Sequence, residues 1–111
     1  MAEHPTRDDL VTSLSQQGYQ LLKDGRYRDA AKRFHDVLEI EPHNSYALVG
    51  LGDTARKSGD QNEAVEYYKR CLEHDPDNAF ALFGLADSYR SLRKYHDAVA
   101  IWERYLEHDN E

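Results

Sequence analysis

The sequence predicts an all-α fold made of three stacked helical units. The first observation is an internal repeat, because the chain matches itself when Leu14 is aligned with Leu48 and Leu48 with Leu82. The second is that apolar residues within each copy recur three and four positions apart, as along one face of a helix. The positions that keep their character also include Ala30, Ala64 and Ala98, then Phe34, Tyr68 and Trp102. An array of similar units therefore accounts for the pattern better than one irregular core.

This pattern resembles the tetratricopeptide repeat family, whose unit is a pair of antiparallel helices closed by a proline. The matching residues of the middle copy are Leu48, Leu51, Gly52, Ala64, Tyr68, Cys71 and Pro76. The third copy departs from the pattern at Ala86, where a glycine is usual, and at Asn110, where a proline is usual. The resemblance implies a right-handed superhelical α-solenoid of three antiparallel helix pairs. It places the repeats at residues 11–44, 45–78 and 79–111, after an N-terminal extension, residues 1–10, that starts the first helix.

The first copy predicts helices over about residues 7–24 and 27–39. Thr6 and Asp9 form a capping-box pattern at the start of the first helix, and Gly25 follows its end. Pro42 closes the unit, and Asn44 is a suitable N-cap for the next helix.

The second copy predicts helices over about residues 45–57 and 61–74, and the third over about 79–91 and 95–108. Gly59 supplies a positive φ after the third helix, and Asp60 with Glu63 gives a second capping-box pattern. Arg93 replaces the turn glycine of the third copy, so we expect backbone strain there.

Small and aromatic residues at the repeated positions are interpreted as structural. Gly18, Gly52 and Ala86 are predicted to lie opposite the three repeated alanines, which lets the paired helix axes approach closely. The repeated aromatic residues are predicted to fill the wider gap between successive units, with no catalytic part.

Composition argues against several classes of protein. With 14 basic and 21 acidic residues, the formal charge is −7, which does not suit a phosphate backbone, so we expect no nucleic acid partner. The sequence lacks an apolar run of about 18 residues, so we expect no membrane insertion. The lone Cys71 forms no internal disulfide and the N-terminus has no secretion pattern. A cytoplasmic protein is the expectation.

The resemblance also implies a concave groove, lined by the first helices of successive units, that holds an extended or helical peptide. The implied groove positions are Thr12, Ser15, Tyr19, Leu22, Tyr46, Val49, Asp53, Arg56, Phe80, Phe83, Asp87 and Arg90. Three of them, Tyr46, Phe80 and Phe83, would form an aromatic patch of the kind that often carries binding energy. Tyr19 and Val49 would lie nearby. The alternative is that these residues only pack against neighbouring first helices.

Two aspartate–arginine pairs lie three residues apart on this face, Asp53 with Arg56 and Asp87 with Arg90. Solvated ion pairs are the favoured interpretation, and contact with a polar or basic ligand is the alternative.

The expected partner is a protein or peptide, and its chemistry follows from what the groove holds. One subgroup of the family binds the C-terminal carboxylate of chaperone tails with a clamp of Lys, Asn and Arg side chains. The corresponding positions here are Ser15, Tyr19, Gly50, Phe80 and Gly84. We therefore expect no carboxylate clamp, and an apolar or amphipathic segment, or a basic one, as the ligand.

Patterns that mark enzymes and metal sites are missing from the sequence. The six histidines are scattered, without the spacings of zinc ligands. The chain has no phosphate-binding loop, nucleophile elbow or convergent acid pair. We expect no catalytic residue, no cofactor and no metal, and we interpret the chain as a non-catalytic interaction scaffold.

The final helix suggests a second function. Repeat arrays usually end with a polar-faced helix, and here the sequence stops soon after the third unit. Ile101, Trp102 and Tyr105 would then form an exposed apolar patch that favours association. The alternative function is a self-association module that forms a homo-oligomer through these residues. A further alternative is that the chain is part of a longer array.

Overall fold

Six α-helices make up the part of the chain that the computed structural model describes, residues 4–109. They are α1 (Arg7–Lys23), α2 (Tyr27–Ile40), α3 (Ser45–Ser58), α4 (Gln61–His74), α5 (Ala79–Ser91) and α6 (Tyr95–Asp109). The six predicted helices are therefore confirmed to within one or two residues. Residues 1–3 of the predicted N-terminal extension lie outside the described residues, as do Asn110 and Glu111 of the third repeat.

The helices stack as three pairs along an elongated body of 56 × 31 × 20 Å. Each helix packs on the next one in the chain, and α3 also contacts α1 and α5. The predicted all-α solenoid is thus confirmed. Between residues 4 and 109, no helix combines the length and the apolar character that crossing a bilayer requires.

Side-chain caps fix the helix starts. The backbone N–H of Asp9 donates to Thr6 Oγ1 and that of Thr6 donates to Asp9 Oδ2, both at 3.0 Å, so the predicted capping box forms. These hydrogen bonds lower the pKa of Asp9. Asn44 accepts from the backbone of the third residue after it, as predicted.

The second predicted capping box forms only by half. Asp60 Oδ1 accepts from the Glu63 backbone N–H at 3.1 Å. The backbone N–H of Asp60 instead donates to Ala55 O at 2.8 Å, because the chain leaves α3 through a left-handed residue that turns this N–H back onto the helix. The Asp60 N–H is therefore already hydrogen-bonded and is not available to the Glu63 side chain.

The three turns inside the helix pairs share one backbone conformation. Gly25, Gly59 and Arg93 have φ values of 78°, 98° and 62°, respectively. In each turn, the next backbone N–H donates to a carbonyl five residues earlier, over 2.8–2.9 Å. Arg93 thus adopts a left-handed conformation, which is energetically unfavourable for a residue with a Cβ, as the sequence predicted.

The core explains the repeated glycines differently from the sequence prediction. Phe34 and Tyr68 are fully buried, and their rings lie over glycines of two successive pairs. A Cβ at Gly18 would lie 2.7 Å from the Phe34 ring, and one at Gly50 would lie 2.6 Å from it. The rings, rather than the predicted alanines, are therefore the groups that require glycine. The prediction that these aromatic residues fill the space between units is confirmed for Phe34 and Tyr68.

Candidate functional site

A groove of about 570 Å³ crosses the first helices of the three pairs. We call it the aromatic groove, and its lining residues are Tyr19 from α1, Ser45, Tyr46, Val49 and Asp53 from α3, and Asn78 and Phe80 at the start of α5. Its wall is mostly apolar, with a carboxylate at one side.

Two aromatic side chains project from the rim of the groove into solvent. Tyr46 is 54% exposed and Phe80 is 76% exposed. They occupy the same position in successive repeats, where the first repeat has Thr12. Because both side chains lie outside the core, packing between the repeats does not depend on them.

Tyr19 and Val49 form the inner part of the groove. Tyr19 packs edge-on against Phe34, with ring centroids 5.0 Å apart, and against Tyr46, at 4.7 Å. Burial raises the pKa of Tyr19, and the charge of Asp53 raises it further, so the phenol stays protonated. Val49 is almost completely buried. The groove therefore has a rigid inner wall and an exposed aromatic rim.

A hydrogen-bonded network lies beside the groove. Tyr68 Oη donates to Asp53 Oδ1 at 2.5 Å, and Arg56 Nε donates to Tyr68 Oη at 3.1 Å. Arg56 also contacts Asp53 and, on the next first helix, Asp87. Arg90 completes the network by donating to Asp87 Oδ1 at 2.7 Å.

The pKa values of two members of the network are raised. Burial raises the pKa of Tyr68, and the neighbouring Asp53 raises it further. Burial alone would lower the pKa of Arg56, but its hydrogen bond to Tyr68 and the charges of two aspartates outweigh that effect and raise it. Both side chains therefore stay protonated across the physiological range. The aspartate–arginine pairs predicted along each helix form, but an inter-repeat contact joins them, which sequence spacing did not predict.

The other implied groove positions divide into three groups. Thr12 and Ser15 line a smaller depression of about 310 Å³ next to Tyr46. Leu22 is buried in the core of the first repeat, so its assignment to the groove surface was wrong. Phe83 packs edge-on against Trp102, at 5.2 Å between ring centroids, and belongs to a separate cluster.

The end of the stack also differs from the sequence prediction. Ile101 packs against the core of the second and third repeats, so it does not lie on the outer face. Trp102 and Tyr105 are half-buried and contact each other and Phe83. The exposed apolar side chains of α6 are instead Tyr95, Val99 and Leu106. Sequence reasoning missed these three, although each corresponds to a residue of α4 in the preceding repeat.

Sequence reasoning also missed a histidine pair. The rings of His43 and His74 stack with centroids 3.8 Å apart, although the two residues are far apart in the chain. The side chain of His108 lies outside the part described. Among the side chains that the structure describes, no group of three or more His, Cys, Asp or Glu residues is arranged to hold a metal ion.

Two family models match the sequence, and both are described as "Tetratricopeptide repeat". One matches residues 16–79 and the other residues 55–111. None of the curated proteins matches the chain in sequence.

Several solved structures share the fold. The Sgt2 TPR domain from Aspergillus fumigatus superposes with a TM-score of 0.88 at 21% identity, over 96% of this chain and 70% of that one. The first TPR of Spaghetti (RPAP3), bound to the HSP90 peptide SRMEEVD, gives 0.86 at 17% identity, over 91% and 80%. MamA protein gives 0.83 at 22% identity over 93% of this chain, which spans 56% of the MamA chain.

Proposed function

The chain belongs to the tetratricopeptide repeat family, and from this premise we propose that it is a non-catalytic interaction scaffold that binds a peptide or helix segment of another protein in the aromatic groove. The observation that carries the proposal is the exposure of Tyr46 and Phe80 on the rim of a 570 Å³ groove. Burial of these aromatic side chains by a ligand stabilises the complex by about 25 cal/mol for each Å² of apolar surface removed from water.

The groove favours a ligand with an apolar anchor. Tyr19 and Val49 form an apolar inner wall, and their packing holds them in place before a ligand arrives. Binding to such a preformed wall requires little ordering of the protein, so more of the contact energy contributes to affinity.

A basic side chain in the ligand suits the same groove. Asp53 lies in its wall, and the chain carries a formal charge of −7. Long-range attraction would therefore steer a positively charged segment toward the site and repel an acidic one. An amphipathic segment with one apolar anchor and a neighbouring Lys or Arg is the ligand that we propose.

An acidic chaperone tail is not the proposed ligand, although the Spaghetti (RPAP3) domains bind the HSP90 peptide SRMEEVD. Two positions of the clamp are Gly50 and Gly84 here, and each lies directly beneath an aromatic ring. A clamp side chain at either place would have to displace Phe34 or Tyr68 from the core. We expect SRMEEVD to show no saturable binding to this protein, as measured by fluorescence polarisation.

A random-peptide phage library selected on the purified protein tests the proposal. Selected peptides should contain an apolar anchor near a basic residue, and the double variant Tyr46→Ala/Phe80→Ala should weaken their binding at least tenfold, or by about 1.4 kcal/mol. Leu10→Ala is the matched control, because Leu10 is also a large exposed apolar residue but does not line the groove. Equal affinity for the double variant and the control would refute groove binding.

Self-association is the second candidate function, and the exposed apolar residues of α6 favour it. Because Ile101 faces the core, the informative variant is Val99→Asp rather than a change at Ile101. If self-association is the function, light scattering at high concentration will detect an oligomer that Val99→Asp dissociates and that Tyr46→Ala leaves intact. A monomer at all concentrations would exclude it.

A further inference from the structure

The outer side of α6 carries four large apolar residues in one stripe. We call it the α6 face, and its residues are Tyr95, Val99, Trp102 and Leu106. Their spacing of four, three and four residues places them on one side of the helix. This surface lies outside the aromatic groove and plays no part in the groove binding proposed above.

The same positions are covered in the earlier repeats. Val65 of α4 is the counterpart of Val99 in the preceding repeat, yet it is 7% exposed against 54% for Val99. Tyr68 is fully buried, whereas its counterpart Trp102 is only half-buried. The difference arises because the first helix of the next pair, α5, packs on α4. The α6 face is therefore the same kind of helix-binding surface in an uncovered state within residues 4–109.

The covering helices place a glycine on the aromatic ring beneath them. Gly50 of α3 lies against Phe34 of α2, and Gly84 of α5 lies against Tyr68 of α4. At Gly50, the three nearest ring atoms are 2.6–2.8 Å from the position of a Cβ, which leaves no room for a side chain. A helix that covers Trp102 in this way needs an equally small residue over the indole.

The covering helix also supplies a carboxylate three residues after the glycine. Asp87 follows Gly84 in this way and accepts from Arg56 Nη1 across the repeat boundary, at 3.2 Å. Arg90 is the counterpart of Arg56 in the third repeat, and its side chain is 59% exposed. Arg90 already contacts Asp87 of its own helix, as Arg56 contacts Asp53. By the same relationship, Arg90 is placed to receive a carboxylate from a helix on the α6 face.

We propose that the α6 face binds a helix of another protein in which glycine is followed three residues later by aspartate or glutamate. The small residue sits over Trp102 and the carboxylate pairs with Arg90, so that the partner continues the interface already made between α4 and α5. The charge of Arg90 and the shape of the stripe thus select both residues of the motif.

A second copy of this chain does not fit the α6 face by head-to-tail stacking. The residues of α1 that correspond to Gly50 and Asp53 are Gln16 and Tyr19. Gln16 would put a long polar side chain over the indole, and Tyr19 offers no carboxylate and is already packed against Phe34. The outward side of α1 also carries exposed Gln17 and Gln20, which cannot replace an apolar covering surface.

The test uses a soluble probe with the proposed motif, a labelled synthetic peptide of residues 44–58 of this chain, which contains Gly50 and Asp53. Fluorescence polarisation should show saturable binding to the whole protein. A Gly50→Leu peptide should bind at least tenfold more weakly, because leucine cannot fit over Trp102. An Asp53→Asn peptide should lose about three- to tenfold in affinity, and this loss should disappear in 1 M salt.

Variants of the protein locate the peptide. Val99→Asp should abolish binding, and it should fold because Val99 is largely exposed. Leu10→Asp, at the opposite end of the stack, is the matched control and should bind normally. The proposal is overturned if no binding is detected, if the Gly50→Leu peptide binds as well as the original, or if Tyr46→Ala and not Val99→Asp abolishes binding. Sedimentation that shows a dimer dissociated by Val99→Asp would also overturn it, because a second copy would then be the occupant.

Discussion

Arg56 of α3 and Asp87 of α5 form an ion pair across the boundary between the second and third repeats, with 3.2 Å between Nη1 and Oδ2. The Tyr68 hydroxyl, fixed in the core of the same boundary, accepts from the guanidinium and donates to Asp53. A single phenol therefore links the packing between repeats to the polar wall of the groove.

Replacing Tyr68 by phenylalanine should destabilise the protein by about 1–2 kcal/mol, because two hydrogen bonds to charged groups are lost while the ring stays in place. Urea unfolding followed by circular dichroism measures the change. Tyr67→Phe is the control, since the hydroxyl of the neighbouring, partly buried Tyr67 makes one long hydrogen bond, to the exposed His35 at 3.4 Å. A cost for Tyr68→Phe no larger than that of the control would contradict the bridging role.

Stability should fall as the pH rises above about 10, the usual pKa of tyrosine. Burial raises the folded-state pKa of Tyr68 and of Tyr19 above the value in the unfolded chain. The stability that each contributes is complete below the unfolded pKa and is lost as the pH rises toward the folded one, because only the unfolded chain then releases the proton.

Urea midpoints measured between pH 8 and pH 11 check this prediction. Tyr68→Phe should make the decline shallower than in the wild type, because it removes one of the two tyrosines whose pKa is raised by burial. Parallel curves for the wild type and Tyr68→Phe would show that Tyr68 ionises equally easily in both states.

Replacing Gly52 by alanine should destabilise the protein, although alanine is the better helix former. The new Cβ would lie 2.5 Å from the nearest atom of the Tyr68 ring. Overpacking of this kind costs about 1–3 kcal/mol, and the gain in helix propensity offsets only about 1 kcal/mol of it. In a Tyr68→Leu background the same substitution should cost less, since the opposing ring is gone. Additive effects in this double-mutant cycle would rule out the clash.

Replacing Arg93 by glycine should raise the free energy of unfolding by about 0.5–1 kcal/mol, because φ is +62° at this residue. Thermal unfolding measures the effect. The reciprocal variant Gly59→Ala, at the equivalent turn with φ +98°, should lower stability by a similar amount. Loss of stability in Arg93→Gly would mean that the arginine side chain contributes more than the strain costs.

The fold was readable from the sequence because the same local signals occur three times. Thr6 and Asn44 as caps, and Gly59 as a left-handed residue, each act on their own turn of helix, so spacing was enough to place them. The return half of the Asp60 capping box failed because it competed with a backbone hydrogen bond to Ala55. That bond depends on the detailed path of the turn, which residue identity does not specify.

The candidate site was only partly readable. Helical spacing put Tyr46 and Phe80 on the right face, but it could not separate Leu22, which turns into the core, from its neighbours in the groove. The Arg56–Asp87 contact depends on how two helices of different repeats are offset, which no single-helix pattern contains. For the same reason Ile101 was assigned to the outer face, whereas the structure places Val99 there.

Nuclear magnetic resonance mapping of a bound peptide tests the central claim most directly. A phage-selected peptide is titrated into ¹⁵N-labelled protein, and the shift of each backbone amide is recorded. Groove binding predicts that the largest shifts fall at Tyr19, Tyr46 and Phe80, and that they vanish in Tyr46→Ala/Phe80→Ala. Shifts confined to α6 or to the outer surface of α2 and α4 would contradict it.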